Sequence, residues 1–202
     1  MHSLGFQYRL YFPRYISGYE KVKMCTMNQK NMKETEQLIS KRLVIFGATG
    51  DLCKRKLIPA LYELWKKQLL PPGLLIVGAS RREMCPNEWR KTLGDYPEDF
   101  MDWLDFVSCD LSCKESLMKL HDKSADTTYF LSVPPDRYEN AIINLKEAGF
   151  LDDSEHSRVV IEKPFGHDFE SADNLQSVVE RHLREKQVYR IDHYLGKDTV
   201  NN

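Results

Sequence analysis

From position 42 onward the chain alternates short apolar runs with longer stretches in which apolar residues recur every three or four positions. The runs cover 42–46, 74–77, 105–108, 127–133, 158–161 and 187–191. Most are apolar almost throughout rather than alternately, which is the pattern of strands buried on both faces. The stretches between them read as helices. Leu57, Ile58, Leu61, Leu64 and Trp65 form one stripe, which Pro59 should kink or restart. Ser112 with Glu115 makes a capping box ahead of Leu117 and Leu120, and Asp136 with Glu139 makes a similar start for 141–148, where Gly149 suits the stop. Ala172, Leu175, Val179 and Leu183 give the last helix its buried face. Strands alternating with helices predict an α/β fold, a doubly wound and mostly parallel sheet with right-handed crossovers.

Composition narrows the class without changing that picture. Of 202 residues, 42% are hydrophobic and 29% charged, as in soluble globular proteins. A formal net charge of -1 gives no field favouring nucleic acid or an anionic membrane, and no apolar stretch approaches the ~20 residues of a membrane helix. The five cysteines (Cys25, Cys53, Cys85, Cys109, Cys113) are odd in number and form no CxxC pair, so neither a disulfide framework nor a metal site is indicated, and a cytoplasmic location is expected.

The opening 40 residues are unlike the rest. Residues 1–23 are aromatic and basic, with Glu20 their sole acid, yet they lack the serine content and amphipathicity of a transit peptide. Residues 24–40 are polar. The expectation is a disordered extension over 1–40, with Met24, Met27 and Met32 as alternative starts, followed by one domain over 41–202.

In a doubly wound sheet, ligands bind beyond the carboxyl ends of the strands, and this chain's polar clusters fall there. Gly47-Ala48-Thr49-Gly50-Asp51-Leu52 follows the first run, where backbone amides at a helix mouth can approach a pyrophosphate. Its spacing departs from G-x-G-x-x-G, and a plain tight turn is the alternative. After the second run come Arg81 and Arg82, where an NAD site commonly has an acid; guanidinium forks there favour the 2′-phosphate of NADP over a solvated basic turn. Lys163, between Glu162 and Pro164, ends the fifth run with a restricted backbone, and the state of its bond to proline is open. The sixth run delivers Asp192, His193, Tyr194 and Lys197 into one turn, enough donors for a phosphate, with Asp192 placed to orient a histidine base.

Three motifs, Gly-Ala-Thr-Gly-Asp-Leu-Cys-Lys-Arg-Lys at 47–56, Glu-Lys-Pro-Phe-Gly at 162–166 and Arg-Ile-Asp-His-Tyr-Leu-Gly-Lys at 190–197, strongly resemble those of the glucose-6-phosphate dehydrogenase family. The resemblance covers 41–202 and implies a Rossmann-like, NADP-binding domain. It further implies hydride transfer from C1 of glucose 6-phosphate to NADP, giving 6-phosphogluconolactone, the first step of the pentose phosphate pathway. Under it, Gly47, Ala48, Thr49, Gly50, Asp51, Leu52, Cys53, Lys54 and Arg81 look like contacts of the coenzyme, and Tyr138 resembles a coenzyme-contacting tyrosine. Lys56 and Lys163 would lie between coenzyme and sugar, His193, Tyr194 and Lys197 would clamp the 6-phosphate, and Asp192 would partner the catalytic base.

In the family that base is a histidine of a following β+α domain, through which full-length members also form homo-oligomers. None of the six histidines here matches it, so the expectation is an N-terminal fragment. The competing expectation is a catalytically silent module that holds NADP and sugar phosphate. A Tyr-x-x-x-Lys reductase is less well served, because that spacing occurs only at Tyr19–Lys23 and Tyr62–Lys66, away from the rim.

Overall fold

The computed structural model describes residues 41–120, 126–166 and 168–191; the expectations for residues 1–40 and 192–202 lie outside the described residues. Six strands, β1 (Lys41–Phe46), β2 (Leu75–Ser80), β3 (Leu104–Ser108), β4 (Asp126–Leu131), β5 (Ser157–Glu162) and β6 (Val188–Ile191), form one sheet in the order β3-β2-β1-β4-β5-β6. Every pairing is parallel, as the apolar runs predict, with Val44 opposite Val77 on one side and Tyr129 on the other.

Alternation along each strand divides the core into two layers. Val44, Phe46, Tyr129, Leu131, Val159 and Ile161 face α5 (Tyr138–Glu147), α6 (Phe169–His182) and the short α4 (Lys114–Leu117). Their neighbours Ile45, Ile76, Phe106, Phe130 and Val160 face α1 (Ile58–Lys66), α2 (Pro86–Lys91) and α3 (Glu98–Met101). Each fully buried large apolar side chain contributes about 1.5–3 kcal/mol, so both layers help to hold the sheet between its helices.

Several local expectations change on contact with the tertiary structure. β2 runs on to Ser80 instead of stopping at Val77, because Gly78, Ala79 and Ser80 pair with β1 and β3. β4 ends at Leu131, two residues short of the expected run, just ahead of Pro134 and Pro135, which have no N–H to donate. Pro59 does not restart the first helix: a π-turn over Cys53–Leu57 runs without a break into α1, where Pro59 occupies the first turn. In α1, Ile58 is buried and Leu61, Tyr62 and Trp65 pack on it, whereas Leu64 is 40% exposed, off the stripe.

The Ser112–Glu115 capping box does not form. The Ser112 hydroxyl donates instead to Asp110 at 2.5 Å, and α4 begins after Cys113, whose thiol donates to Glu115. Asp136 is likewise not a cap. It sits in a 3₁₀ turn (Pro135–Arg137) leading directly into α5, which has no side-chain cap. Gly149, at φ 81, does end α5: its N–H donates to the Lys146 carbonyl and that of Phe150 to Leu145, the paired bonds of a glycine C-terminal stop. Leu175 and Val179 of α6 are buried as the periodicity predicts. Among the described residues, no helix is long and apolar enough to cross a membrane.

Candidate functional site

Because all six strands are parallel, their carboxyl ends share one edge, and the connections from β1 and β4 leave it in opposite directions. The crevice between those strands is the topological switch point. A cavity of about 420 Å³ opens there, lined by the turns after β1, β2, β3 and β4 and by the start of α5.

The glycine turn after β1 is held by backbone bonds. The N–H groups of Gly47 and Ala48 both donate to the Ala79 carbonyl, at 3.0 and 3.2 Å, and that of Gly50 donates to the Gly47 carbonyl at 2.8 Å. Gly47 has φ 80, and a Cβ built on it would stand 2.0 Å from the Ser132 carbonyl oxygen of the chain leaving β4. Only glycine permits both the dihedral and the approach. The helix that follows has Gly50 at its start, since Lys54 N–H donates to the Gly50 carbonyl. Its first-turn amides, at Asp51, Leu52 and Cys53, have no acceptor within the helix and so suit an anion.

Side chains divide differently. Thr49 lines the cavity, and exposed Asp51 is 3.8 Å from Arg55. Ala48 and Cys53 are fully buried, so each can offer a ligand only its backbone; burial pushes the Cys53 thiol up to about 12, leaving it neutral.

On another wall, Arg81 and Arg82 are exposed and line the cavity, whereas the acid that follows them, Glu83, does not line it. Their turn is fastened to β3: the Ser108 hydroxyl donates to the Arg82 carbonyl at 2.9 Å, and Arg82 N–H donates to the Ser80 hydroxyl at 3.2 Å. Reading the residues in sequence missed four cavity groups, Asp110, Ser132, Arg137 and Asn140. The Ser112 hydroxyl and N–H, and then nearby Arg81 and Arg137, hold the Asp110 carboxyl below the usual carboxylate range, so it is charged at neutral pH. The Ser132 hydroxyl is buried with no hydrogen-bond partner among the described residues. That unanswered hydroxyl and the first-turn amides fit a dinucleotide at the glycine turn. Arg137 was detectable in the sequence, since it follows the proline pair that closes β4.

Three other expected site residues among those described do not line this cavity. Lys56 is exposed in the π-turn, and Lys163 is exposed after β5; neither lines it. Lys163 N–H donates to the Ile191 carbonyl at 3.0 Å, and the Lys163–Pro164 peptide is cis. Tyr138 is only 2% exposed. Its hydroxyl donates to the Glu162 carbonyl at 3.3 Å, tying α5 to β5, and burial pushes its phenol up to about 12. Asp192, His193, Tyr194 and Lys197 lie outside the described residues; β6 ends one residue before them, on the same edge as the other strands. The two described histidines sit at the far edge: His156 precedes β5 and bonds Asp153 at 2.9 Å, and His182 closes α6.

Residues 44–202 match the family model described as glucose-6-phosphate dehydrogenase, NAD binding domain. Among curated proteins, glucose-6-phosphate 1-dehydrogenase of Chlamydia pneumoniae is 40% identical over 189 residues, covering 79% of this chain and 37% of the relative. That of Borreliella burgdorferi is 37% identical over 172 residues, covering 79% and 36%. This chain thus spans a little over a third of the length of these relatives. Among solved structures, a glucose-6-phosphate dehydrogenase in complex with its substrate glucose-6-phosphate superposes with a TM-score of 0.70 at 30% identity, covering 81% of this chain and 38% of that one. The Mycobacterium avium enzyme superposes with a TM-score of 0.68 at 32% identity, covering 78% and 37%.

Proposed function

The chain belongs to the glucose-6-phosphate dehydrogenase family, and from that premise we propose that it binds NADP in the crevice between β1 and β4 and presents the rim beyond β5 and β6 to glucose 6-phosphate. The bound coenzyme supplies the hydride acceptor for C1 of the sugar, with 6-phosphogluconolactone as product. The observation that carries the coenzyme reading is the pairing of two walls on one cavity: a glycine turn with free first-turn amides, and a β2 turn that presents two arginines to it while Glu83 stays outside. The amides of Thr49 and of Asp51, Leu52 and Cys53 take the pyrophosphate, and Arg81 with Arg82 takes the 2′-phosphate as charge-assisted forks. Asp110 would repel that phosphate, and Arg81 and Arg137 beside it offset the repulsion.

On the sugar side, Lys163 and Lys56 would bridge coenzyme and substrate, and His193, Tyr194 and Lys197 would hold the 6-phosphate. Asp192 would orient a base. Glucose 6-phosphate enters the proposal because a structural relative is described with it as substrate, and because the 190–197 motif carries the donors a phosphate needs. A reducing, cytoplasmic setting belongs to the same proposal, supported by the free thiols at Cys53, Cys85, Cys109 and Cys113. A second reading, a binding module without turnover, is favoured by one observation: both described histidines sit at the edge opposite the rim.

One experiment separates these. Calorimetric titration of the chain with NADP⁺ and NAD⁺ is followed by an assay for NADPH formation from glucose 6-phosphate. Arg81→Glu should weaken NADP⁺ by roughly 30-fold while leaving NAD⁺ within about threefold; equal losses would refute the 2′-phosphate assignment. Binding with no NADPH formed supports the module, and turnover supports the enzyme.

A further inference from the structure

We propose that Trp89, which touches neither the cavity nor any ligand position, is a positioning residue that sets the orientation of the phosphate-binding turn. This rests on the coenzyme reading above. Trp89 stands in α2, fully buried in the core layer opposite α5 and α6, and its indole N–H donates to the Ala48 carbonyl at 3.0 Å across 41 positions of sequence. The turn is thereby gripped from two sides, because the N–H groups of Gly47 and Ala48 are already donated to Ala79.

The consequence follows from peptide planarity. In the trans peptide joining Ala48 to Thr49, carbonyl and N–H point in opposite directions. Holding the Ala48 oxygen on the core side therefore sends Thr49 N–H outward, and Thr49 and Gly50 line the cavity. A buried carbonyl without a donor is costly, so the indole N–H specifies which way this peptide faces.

The site is prepared for that indole. Gly78 lies under it in β2: a Cβ there would come within 2.5 Å of the ring carbon Cζ2, so no larger residue leaves the ring its place. α2 is anchored on its own account. Glu88 accepts from Cys85 N–H at 2.7 Å at the helix start, the Thr92 hydroxyl donates to the Trp89 carbonyl at 2.8 Å, and Phe106 packs on the indole with ring centroids 5.5 Å apart. Packing alone would be satisfied by any large ring. What an indole adds is one donor, aimed at the one turn on which a pyrophosphate would rest.

The test uses the 202-residue chain with Trp89→Phe, and a second form in which residue 89 is benzothienylalanine, which keeps the ring shape and lacks the N–H. Both forms should raise the NADP⁺ Kd roughly tenfold and leave adenosine 2′-phosphate, which has no pyrophosphate, within about twofold. In the ligand-free chain, exchange of the Gly47, Ala48 and Gly50 amides should quicken by roughly tenfold while β5 amides keep their rates. Equal weakening of both ligands, or no weakening of either, overturns the inference, as does unchanged exchange at those three amides. If Trp89→Phe fails to fold, the isosteric form decides. A wild-type chain that binds neither NADP⁺ nor NAD⁺ overturns the coenzyme reading, and with it the statement that the held turn serves a pyrophosphate.

Discussion

The turns after β1 and β5 close two strands of one sheet on the same edge, yet they are held in different ways. After β1, Gly47 is wedged against the Ser132 carbonyl, Ala48 and Cys53 are buried, and three N–H groups of the turn are bonded back to Gly47 and Ala79. After β5, Lys163 is exposed and its segment is tied at separate points: Lys163 N–H to Ile191, the Tyr138 hydroxyl to the Glu162 carbonyl, and Gly166 against the start of α6. A turn that binds through backbone amides must fix each peptide plane, so it is packed on all sides. Under the proposed function the β5 turn would act through one long side chain, and such a turn needs only its anchor points.

The largest effect should come from Gly47→Val. A β-branched residue at φ 80 with Cβ 2.0 Å from a backbone oxygen should cost more than about 3 kcal/mol and abolish NADP⁺ binding, read by thermal melting and calorimetry. A variant that melts near the wild type would remove the close approach on which the β1 turn rests. Gly166→Ala should cost less, about 1–3 kcal/mol, although its Cβ would meet the Ala172 nitrogen at 2.6 Å and φ is 112. Its NADP⁺ affinity should fall far less than that of Gly47→Val, because the β5 turn is off the cavity and would reach the coenzyme only through Lys163; a loss as large as that of Gly47→Val would erase the contrast.

Tyr138→Phe sharpens the comparison from the other side. Removing one bond to the Glu162 carbonyl should cost about 1 kcal/mol of stability and leave coenzyme affinity unchanged. A clear drop in NADP⁺ affinity in calorimetry would make Tyr138 a coenzyme contact as well as a tie.

The smallest effect near neutrality is on pH. Burial raises Cys53 from 9.0 to about 12, Cys109 from 9.0 to about 11 and Tyr138 from 10.0 to about 12. Above pH 9 the unfolded chain releases these protons first, so stability should be level below pH 9 and fall between about 9 and 12. The cysteine of the β1 turn begins to act about one pH unit before the tyrosine that ties the β5 turn. Denaturant titrations at a series of alkaline pH values, with Cys53→Ala expected to flatten the first part of the fall, test this.

Much of the fold was legible because it depends on near neighbours. Continuous apolar runs forecast parallel strands, and Gly149 forecast the end of α5, since strand burial and a left-handed stop are written within a few residues. Where a local signal failed, a nearby competitor took its partner. Ser112 had the spacing of a cap, but Asp110, two residues earlier, accepts its hydroxyl. Leu64 had the spacing of the stripe, but the face of α1 that meets the sheet is centred on Ile58, Leu61 and Trp65.

By itself, then, the sequence determined the alternation of strand and helix, the glycine turn, the arginine pair in place of an acid and the rim on which they meet. These follow from periodicity, from the dihedral freedom of glycine and from charge at strand ends, all properties of short segments. Only the tertiary structure decided that Tyr138 is a buried tie, that Asp110, Ser132 and Arg137 complete the cavity, and that Trp89 holds the Ala48 carbonyl. Those outcomes depend on strand register and on which helix lies over which strand. Both are fixed by packing between segments tens of residues apart, so no window of sequence contains them.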